Sequence, residues 1–571
     1  MINNRILLST FLMLSSAFAL NAQDQVTAKE TKETIPTYLV GNPDLYPYFF
    51  NGRTYQGAAG HIYPYALYDN LTDERVDRDY KYLTLENEYT KIGVLPEIGG
   101  RIFQAEDKQT GYNFFYRQHV IKPALIGMIG SWISGGVEWN IPHHHRASST
   151  LNAGYEIAEN EDGSKTIWIG ETELRQRLKW TIGLTMFPGK SYVEATFKMQ
   201  NRTPVMQSFL YWANVSVHCD ENYQVQFPPQ TIYGTAHSKV QYTDWPYNTI
   251  WGNSEPTDNS WWKNFKDANS TFAVNYTQDY LVGYDFGKNA GTAHWANHHL
   301  VPGKKFFLWG TNSVWNEMLT EKDGAYLELM VGTFSDNQPD YSWIGPNEVR
   351  VTKQYWYPIK GIGGAKNVNL EGAVNIERTS PDNFMVGFNS TAFYKQAKVI
   401  IKAAGDVISE ETVDIDPDTP YIKNIKVSSM LKDSEFFAGL YDSNGVELVS
   451  WSPAEKEEYT KPHPADRPKQ PSEYNSVEEL LLAGQRLEEF HNARLDPLPY
   501  YEEALRRDSL DSRVNVNLGI YYAKRAEWTV AEKYLSRAYK RLTGLHYMPE
   551  IAKTGVIYHT NPKDGEMFYY S

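Results

Sequence analysis

The hydrophobic pattern in the middle of the chain is typical of antiparallel β-sheets. Between residues 192 and 200, polar side chains alternate with an apolar face made of Val193, Ala195, Phe197 and Met199. The same alternation runs from Leu178 to Met186, and Pro188-Gly189-Lys190 supplies a turn between the two segments. A period of two marks a strand with one buried face. No amphipathic helix of three turns is predicted between residues 80 and 380, so this region is predicted to form one large β-domain.

The regions on either side of this domain differ in composition. Residues 23–79 are rich in Tyr, Gly and Asn and predict a lead-in dominated by loops. Short strand patterns at residues 397–402 and 436–441 predict a small β-sandwich over residues 385–452. Residues 453–475 carry prolines among charged residues, which predicts a stiff, extended linker.

The last hundred residues follow a helical period instead. Tyr500, Tyr501, Ala504 and Leu505 recur 34 residues later as Tyr534, Leu535, Ala538 and Tyr539. Small residues such as Gly519 stand opposite large ones, which resembles the consensus of tetratricopeptide (TPR) repeats. The matching glycine of the first repeat, Gly484, is offset by one position. Residues 476–571 are therefore expected to form TPR repeats, a segment suited to holding a protein partner.

The N-terminus has the features of a secretory signal peptide. Arg5 precedes an apolar run from Ile6 to Leu20, and small residues lead to Ala22. Cleavage after Ala22 would send the mature protein to the periplasm or outside the cell. No later segment is apolar enough to predict membrane insertion. The only cysteine is Cys219, so the sequence offers no disulfide within the chain.

Charge and aromatic content narrow the class of ligand. The net charge is −14, and no Lys/Arg cluster is present to neutralise phosphates, which argues against nucleic acid. Aromatic residues make up 14% of the chain. They are explained equally well by a large β-protein or by a surface on which rings stack against sugars.

The densest concentration of chemically active side chains lies in residues 135–146, which read GGVEWNIPHHHR. Glu138 is a candidate catalytic carboxylate, Trp139 a flat apolar face for substrate, and His145 with Arg146 a candidate proton carrier and binding group. Successive residues of a strand point in different directions, so at most two of the three histidines can face one site. Three adjacent histidines do not easily surround one ion, and no CxxC or HExxH motif accompanies them. We therefore predict no metal and no other cofactor.

Four other segments carry candidate residues. Arg101 follows a Gly-Gly pair that could aim it at a ligand. His218, on the same predicted strand face as Asp220, is a candidate general acid. The third segment, residues 326–343, offers Glu328 or Asp340 as a second carboxylate facing Glu138, and Trp343 as a substrate-binding ring. His294 is a further candidate for binding substrate.

These segments resemble the galactose-mutarotase-like superfamily. Residues 82–102 look like its entry strands, and residues 135–146 resemble a Gly-Gly-x-Pro and His-x-x-x-Arg region of hexose-6-phosphate mutarotases. Residues 80–380 with the trailing repeats are similar to exported Bacteroidetes-type proteins that place a mutarotase-like domain before TPR repeats. Residues 328–343 and 356–359 are the most specific match. The resemblance implies a β-supersandwich and a place among polysaccharide-degradation systems. Because mutarotases use a His acid and a Glu base, it also implies roles for His218 and Glu328.

The sequence thus predicts a mainly β protein with a β-supersandwich, a small β-sandwich and a C-terminal helical TPR segment. We expect it to act on an oligosaccharide or polysaccharide by general acid–base chemistry, as a glycoside hydrolase or a sugar epimerase. In either case Arg101 and Arg146 would bind hydroxyl or acidic groups. A protein that binds glycans without catalysis, and uses its repeats as a scaffold for a partner, is the alternative.

Overall fold

A computed structural model describes most of the chain. The described residues are 25–45, 64–125, 129–142, 145–236, 241–249, 254–274, 276–312, 314–333, 342–454, 460–464, 466, 468–489, 495–544 and 565–571. The segment predicted as a signal peptide, residues 1–22, lies outside these ranges.

The centre of the protein is an eleven-stranded antiparallel sheet. Its strands, in spatial order, are β1 (Thr27–Val40), β2 (Leu71–Glu86), β3 (Thr90–Leu95), β4 (Arg101–Asp107), β7 (Val137–Asn140), β13 (Trp212–His218), β23 (Tyr326–Gly332), β22 (Gly303–Leu308), β19 (Asn269–Val274), β15 (Tyr233–Thr235) and β16 (Tyr242–Asp244). Strands β4, β7, β13, β23 and β22 occupy the middle of the sheet, although they come from distant parts of the chain. This topology places Arg101 of β4 and Glu328 of β23 in the middle of the same sheet.

A second, eight-stranded sheet packs against the first. Its spatial order is β14 (Tyr223–Gln226), β20 (Tyr280–Asp285), β21 (Ala290–Trp295), β25 (Val349–Lys360), β11 (Val193–Asn201), β10 (Leu178–Met186), β9 (Lys165–Thr172) and β8 (Gly154–Glu159). The alternating apolar residues of β10 and β11 are fully buried. They share one hydrophobic core with Val137, Val215 and Leu329 of the larger sheet. The predicted strands and their buried faces are confirmed.

Shorter strands complete this part of the molecule. They form the pairs β5 (Pro123–Leu125) with β6 (Ser131–Ile133), β12 (Gln207–Phe209) with β24 (Ser342–Ile344), and β17 (Tyr247–Asn248) with β18 (Thr257–Asp258). A six-residue helix, α1 (Val314–Leu319), follows β22.

Residues 367–451 form two four-stranded sheets with a core of their own. One has the order β26 (Asn367–Val368), β27 (Gly372–Ser380), β28 (Asn383–Ser390) and β31 (Tyr421–Lys426), and the other β30 (Asp406–Ile415), β29 (Tyr394–Ala403), β32 (Phe436–Tyr441) and β33 (Glu447–Trp451). The first strands of this unit precede residue 385, the predicted start of the small sandwich. Strands on both sides of this boundary alternate apolar and polar residues in the same way. The hydrophobic pattern therefore does not show where the second unit begins. Lys360 Nζ links the two units, 2.7 Å from Asp107 Oδ1 and 2.9 Å from Asp418 Oδ1.

The C-terminal segment is helical, as predicted. It contains α2 (Val477–Glu489), α3 (Leu498–Arg507), α4 (Ser512–Ala523), α5 (Trp528–Leu542) and α6 (Glu566–Tyr570). A Cβ atom on Gly519 would lie 2.5 Å from Leu535 Cγ, and one on Gly484 would lie 2.5 Å from the ring of Tyr501. Both helix pairs therefore pack a glycine against a large side chain. Within the described residues, no helix combines the length and apolar character needed to cross a bilayer.

The lead-in at residues 23–79 differs from its prediction. Residues 27–40 and 71–86 form β1 and β2, which pair along their length at the edge of the larger sheet. Residues 27–34 of β1 include no buried side chain, and six of these eight residues are exposed. A strand segment without a buried face has no alternation of apolar and polar residues, so the sequence does not predict the strand.

Candidate functional site

The middle strands of the larger sheet carry polar side chains on the face turned away from the core. Glu138 of β7 is directly opposite Asn214 of β13, and Glu328 of β23 is opposite Ser216. Lys305 of β22 is opposite Met330, two residues from Glu328. Direct cross-strand partners lie on the same face of a sheet. The register alone therefore places these residues together.

Two further residues complete this group. Ile102 pairs with Val137 on the core side, so the preceding residue, Arg101, lies on the same face as Glu138. His145 reaches Glu138 from the segment after β7. We call the set the polar cluster; its members are Arg101, Glu138, His145, Asn214, Lys305 and Glu328. All except His145 are at most 5% exposed, so these charged groups act on one another in a medium that screens poorly.

Glu138 and His145 form a buried ion pair. His145 Nδ1 lies 3.0 Å from Glu138 Oε2, which also accepts a hydrogen bond of 2.8 Å from Trp132 Nε1. Burial alone would raise the pKa of Glu138. The positive charge and hydrogen bond of His145 outweigh it, with help from Arg101, and lower that pKa to about 2. Although burial opposes it, Glu138 raises the pKa of His145 above its ordinary value. The contact therefore favours the carboxylate form of Glu138 and the imidazolium form of His145.

Glu328 and Lys305 titrate much closer to neutrality. Burial raises the pKa of Glu328 to about 7, and the negative charge of Glu138 adds to this rise. The positive charges of His145 and Lys305 oppose it. Burial lowers the pKa of Lys305 to about 7, and Glu328 opposes that change. A carboxyl group with such a pKa can both take and give a proton at physiological pH.

Several polar atoms of the cluster have no hydrogen-bond partner among the described residues. Both amide atoms of Asn214 are buried without a hydrogen bond, and so are Nε and Nη2 of Arg101. Each unsatisfied buried group costs about 1–3 kcal/mol. Most buried polar groups in proteins are satisfied. Unpaired polar atoms beside charged side chains make this cluster a candidate site for a polar ligand.

His218, predicted as a general acid, lies at the end of β13 on the same sheet face. Its ring stacks on Tyr116 at 3.9 Å between centroids. Nε2 accepts the backbone N–H of Arg117, and Nδ1 lies 3.3 Å from the carbonyl of Asp323. Burial lowers its pKa to about 4, so the ring is neutral at pH 7. Asp220, the expected partner on this strand, lies beyond the end of β13 and instead accepts the amide of Asn222.

Arg146 and Trp139 support the backbone and do not join the cluster. Arg146 donates to the carbonyls of Trp139 and Gly99, pairs with Glu171 at 2.9 Å and stacks over Trp180. Trp139 belongs to the core face of β7 and donates to the carbonyl of Gly100. Both residues brace the turn that precedes Arg101.

The other predicted residues lie elsewhere or outside the described chain. His294 is buried on the second sheet, where Nε2 is 3.2 Å from Gln354 Oε1. Trp343 belongs to the two-stranded sheet formed with residues 207–209 and is 38% exposed. Asp340, His143 and His144 lie outside the described residues.

Asn214 and Lys305 are the members of the cluster that the sequence did not single out. Asn214 could have been found, because Trp212, Asn214, Ser216 and His218 alternate with an apolar set and define a polar strand face. Lys305 gives no such signal, since it follows Lys304 and both look like solvent-exposed lysines. In the structure the two alternate across the sheet, and each is at most 1% exposed.

No group of three or more His, Cys, Asp or Glu side chains within the described ranges is arranged to hold a metal ion. Cys219 is buried, and burial raises the pKa of its thiol well above the ordinary value. The thiolate needed for nucleophilic attack is therefore disfavoured.

The chain is similar to solved structures of a repeat protein and of proteins named as a mutarotase or an epimerase. A TPR-domain containing protein from Parabacteroides distasonis matches with a TM-score of 0.53 at 16% identity, over 93% of this chain and 78% of that one. A putative mutarotase from Salmonella typhimurium matches at 11% identity over 57% of this chain and 97% of its own, with a TM-score of 0.36. A putative aldose 1-epimerase from Klebsiella pneumoniae matches at 12% identity over 49% and 79%, with a TM-score of 0.35. Of these three matches, the one to the Parabacteroides distasonis protein shows a shared fold.

Two family models match consecutive parts of the sequence. Residues 367–451 match the model described as the second domain of YphG-like proteins. Residues 58–359, more than half of the chain, match the model described as a domain of unknown function, DUF5107. That match includes every member of the polar cluster. The protein therefore belongs to the DUF5107 family.

Proposed function

We propose that this protein is a carbohydrate-active enzyme that moves protons to and from a sugar by general acid–base catalysis at the polar cluster. One observation carries the proposal. Two proton-transfer groups, Glu328 and His145, lie on the same sheet face as Asn214 and Arg101, whose buried polar atoms lack hydrogen-bond partners among the described residues. Sugars present many hydroxyl groups, and reaction at their anomeric carbon needs one group to remove a proton and another to supply one.

The two groups have different tasks. Glu328, with a pKa of about 7, accepts a proton from the sugar or from an attacking water. His145, kept protonated by Glu138, donates a proton to the ring oxygen or to the leaving oxygen. Glu138 thus positions His145 and holds its charge. Asn214 and Arg101 offer hydrogen bonds to substrate groups.

Hydrolysis and epimerisation both fit this assignment, because they differ in whether water or the substrate's own oxygen reacts. A screen of the mature protein against an oligosaccharide library distinguishes them. Mass spectrometry detects products of hydrolysis, and proton NMR detects interconversion of anomers or epimers. We expect turnover of one sugar class by the wild type, and a loss of about 100-fold or more in Glu328→Gln.

A matched variant controls for the loss of a buried carboxylate. Glu194 is equally buried but lies on the second sheet, where it pairs with Lys353 at 2.9 Å. Glu194→Gln should retain turnover. Tight binding of an oligosaccharide without any product would contradict catalysis and favour a glycan-binding scaffold that uses the helical repeats to hold a partner.

We also propose that the protein works outside the cytoplasm, within a polysaccharide-degradation system. The basis is the signal-peptide pattern at residues 1–22. N-terminal analysis of the protein purified from its own host should find Gln23 as the first residue. An intact Met1 on protein from the cytoplasmic fraction would contradict this location.

A further inference from the structure

Within the described ranges, Nη1 is the one guanidinium nitrogen of Arg101 that has hydrogen-bond partners. Nη1 donates to the carbonyl of Gly135 at 2.8 Å and to that of Ser134 at 3.3 Å. Nε and Nη2 are buried and have no hydrogen-bond partner in the part of the chain that the structure describes. The residue as a whole is 2% exposed. The hydrogen bonds of Nη1 thus fix the orientation of this side chain, while the hydrogen-bonding capacity of Nε and Nη2 is not used by the described residues.

The open edge has a particular geometry. The N–H bonds of Nε and Nη2 on one side of a guanidinium are parallel, at a spacing that matches the two oxygens of a carboxylate. Arg146 provides an internal comparison. All three of its nitrogens have hydrogen-bond partners, and Nη1 already bonds the carboxylate of Glu171. The hydrogen-bonding nitrogens of Arg146 therefore all have partners, whereas two of those of Arg101 have none among the described residues.

The nearest carboxylate of the cluster does not fill this edge. Glu138 lowers the energy of the Arg101 charge at a distance. Its oxygens, however, are bonded to His145 and Trp132. Glu138 and His145 offset each other's charge, and the charges of Lys305 and Glu328 attract each other. The positive charge of Arg101 is left without a bonded counter-charge in a buried place, which is costly unless a ligand supplies one.

We propose that the sugar bound at this site carries a carboxylate, as a uronic acid residue does, and that Arg101 grips it through Nε and Nη2. This inference rests on the proposed carbohydrate function. The carboxylate places the sugar ring over Asn214, whose free amide bonds a hydroxyl group. The proton-transfer groups Glu328 and His145 lie on the same face of the sheet.

The test compares matched ligands on the full mature protein. The probes are oligosaccharides containing galacturonic, glucuronic or mannuronic acid, each beside its methyl ester and its carboxyl-reduced neutral form. A sulfated galactose oligosaccharide tests whether any anion suffices. Binding is measured by calorimetry and turnover by product analysis. We expect one free acid to bind about 30-fold or more tightly than its ester and its neutral form.

Variants of Arg101 then test whether this residue causes the preference for the free acid. Arg101→Met should abolish it, and Arg101→Lys should weaken it, because a lysine keeps the charge but loses the two parallel N–H groups. Circular dichroism checks that both variants fold, and the comparison of acid with ester in the wild type needs no variant.

Three results would overturn the inference. Equal binding of acid, ester and neutral sugar would refute the carboxylate but leave the proposed carbohydrate function standing. A preference for the sulfated sugar over every uronate would show that the edge selects a different anion. No binding or turnover of any sugar would refute both proposals together.

Discussion

At the scale of single residues, two charge pairs in one buried cluster behave in opposite ways. Glu138 and His145 are in direct contact, and each stabilises the charge of the other. For Glu328 and Lys305, burial outweighs their attraction, and the pKa of each moves toward 7. The first pair favours its charged forms, and the groups of the second pair change protonation near pH 7. This division gives acid and base tasks to different groups on one sheet face.

The fixed pair predicts a window of pH in which it stabilises the fold. The lowered pKa of Glu138 contributes stability above its ordinary value of 4.5, which is lost as pH falls toward about 2. The raised pKa of His145 contributes stability below 6.5, which is lost as pH rises through the folded value. We therefore expect His145→Gln to reduce the free energy of unfolding by about 2 kcal/mol near pH 5.5, and by less at pH 9. Urea unfolding across this range measures it, and a constant difference at all pH values would contradict the ion pair.

The titrating pair predicts a shift in the pH profile of activity. If Glu328 acts as the base, kcat/KM rises as pH passes through its pKa of about 7. Lys305 lowers that pKa, so Lys305→Met should move the rise to higher pH. The same limb measured in Glu194→Gln should not move. A Lys305→Met profile that coincides with the wild type would show that the ascending limb belongs to another group.

At the scale of secondary-structure elements, the register between strands assembles the cluster. Gly136 controls the approach of β4 and β7. Its φ is +62°, and a Cβ atom there would lie 2.0 Å from the carbonyl oxygen of Ile102. Its amide donates to Tyr116, and its carbonyl accepts from Ser216 of β13. A side chain at this position would push apart the strands that carry Arg101 and Glu138.

Substitution at Gly136 tests this role. Gly111 offers a matched control in the same sheet region, since its φ is +71° but nothing lies within 4 Å of its would-be Cβ. Gly111→Ala should cost about 1 kcal/mol for the backbone conformation alone. Gly136→Ala should cost a further 1–3 kcal/mol, roughly, for the clash, and should also lose ligand binding. Equal unfolding midpoints for the two variants would refute this account of the turn.

The same elements show what a single sequence reveals. The alternation in β10 and β11 is visible because one face is apolar, and the helical period of α3 and α5 is visible for a similar reason. Glu138, Glu328 and Arg101 were found because polar groups interrupt or flank such patterns. Which of them meet depends on the spatial order of β4, β7, β13, β23 and β22, and pairing between distant segments leaves no trace in local periodicity. The roles of His218 and Arg146 depend on hydrogen-bond partners from elsewhere in the chain, which the sequence does not specify.

At the scale of the whole molecule, separate hydrophobic cores lie along one chain. The large β-sandwich, the two four-stranded sheets and the helical segment each bury their own cluster of apolar side chains. All members of the polar cluster belong to the first of these units. The division of the chain into independent domains remains a prediction, and its consequence is that unfolding need not be a single transition.

Two leucine variants test that consequence. Leu184 in β10 is 0% exposed and Leu518 in α4 is 1% exposed, so each substitution by Ala removes the same buried side chain. Each should cost about 2–5 kcal/mol in its own unit. In scanning calorimetry we expect Leu184→Ala to lower one transition and Leu518→Ala another. A single transition that both variants lower equally would show that the units unfold together.

The central claim is that Glu328 carries out proton transfer on a bound sugar. The most direct measurement is product formation from the best substrate of the oligosaccharide screen by the wild type, Glu328→Gln and Glu194→Gln under identical conditions. This role of Glu328 predicts a loss of about 100-fold or more in Glu328→Gln, with sugar binding retained and Glu194→Gln active. Full turnover by Glu328→Gln would contradict it.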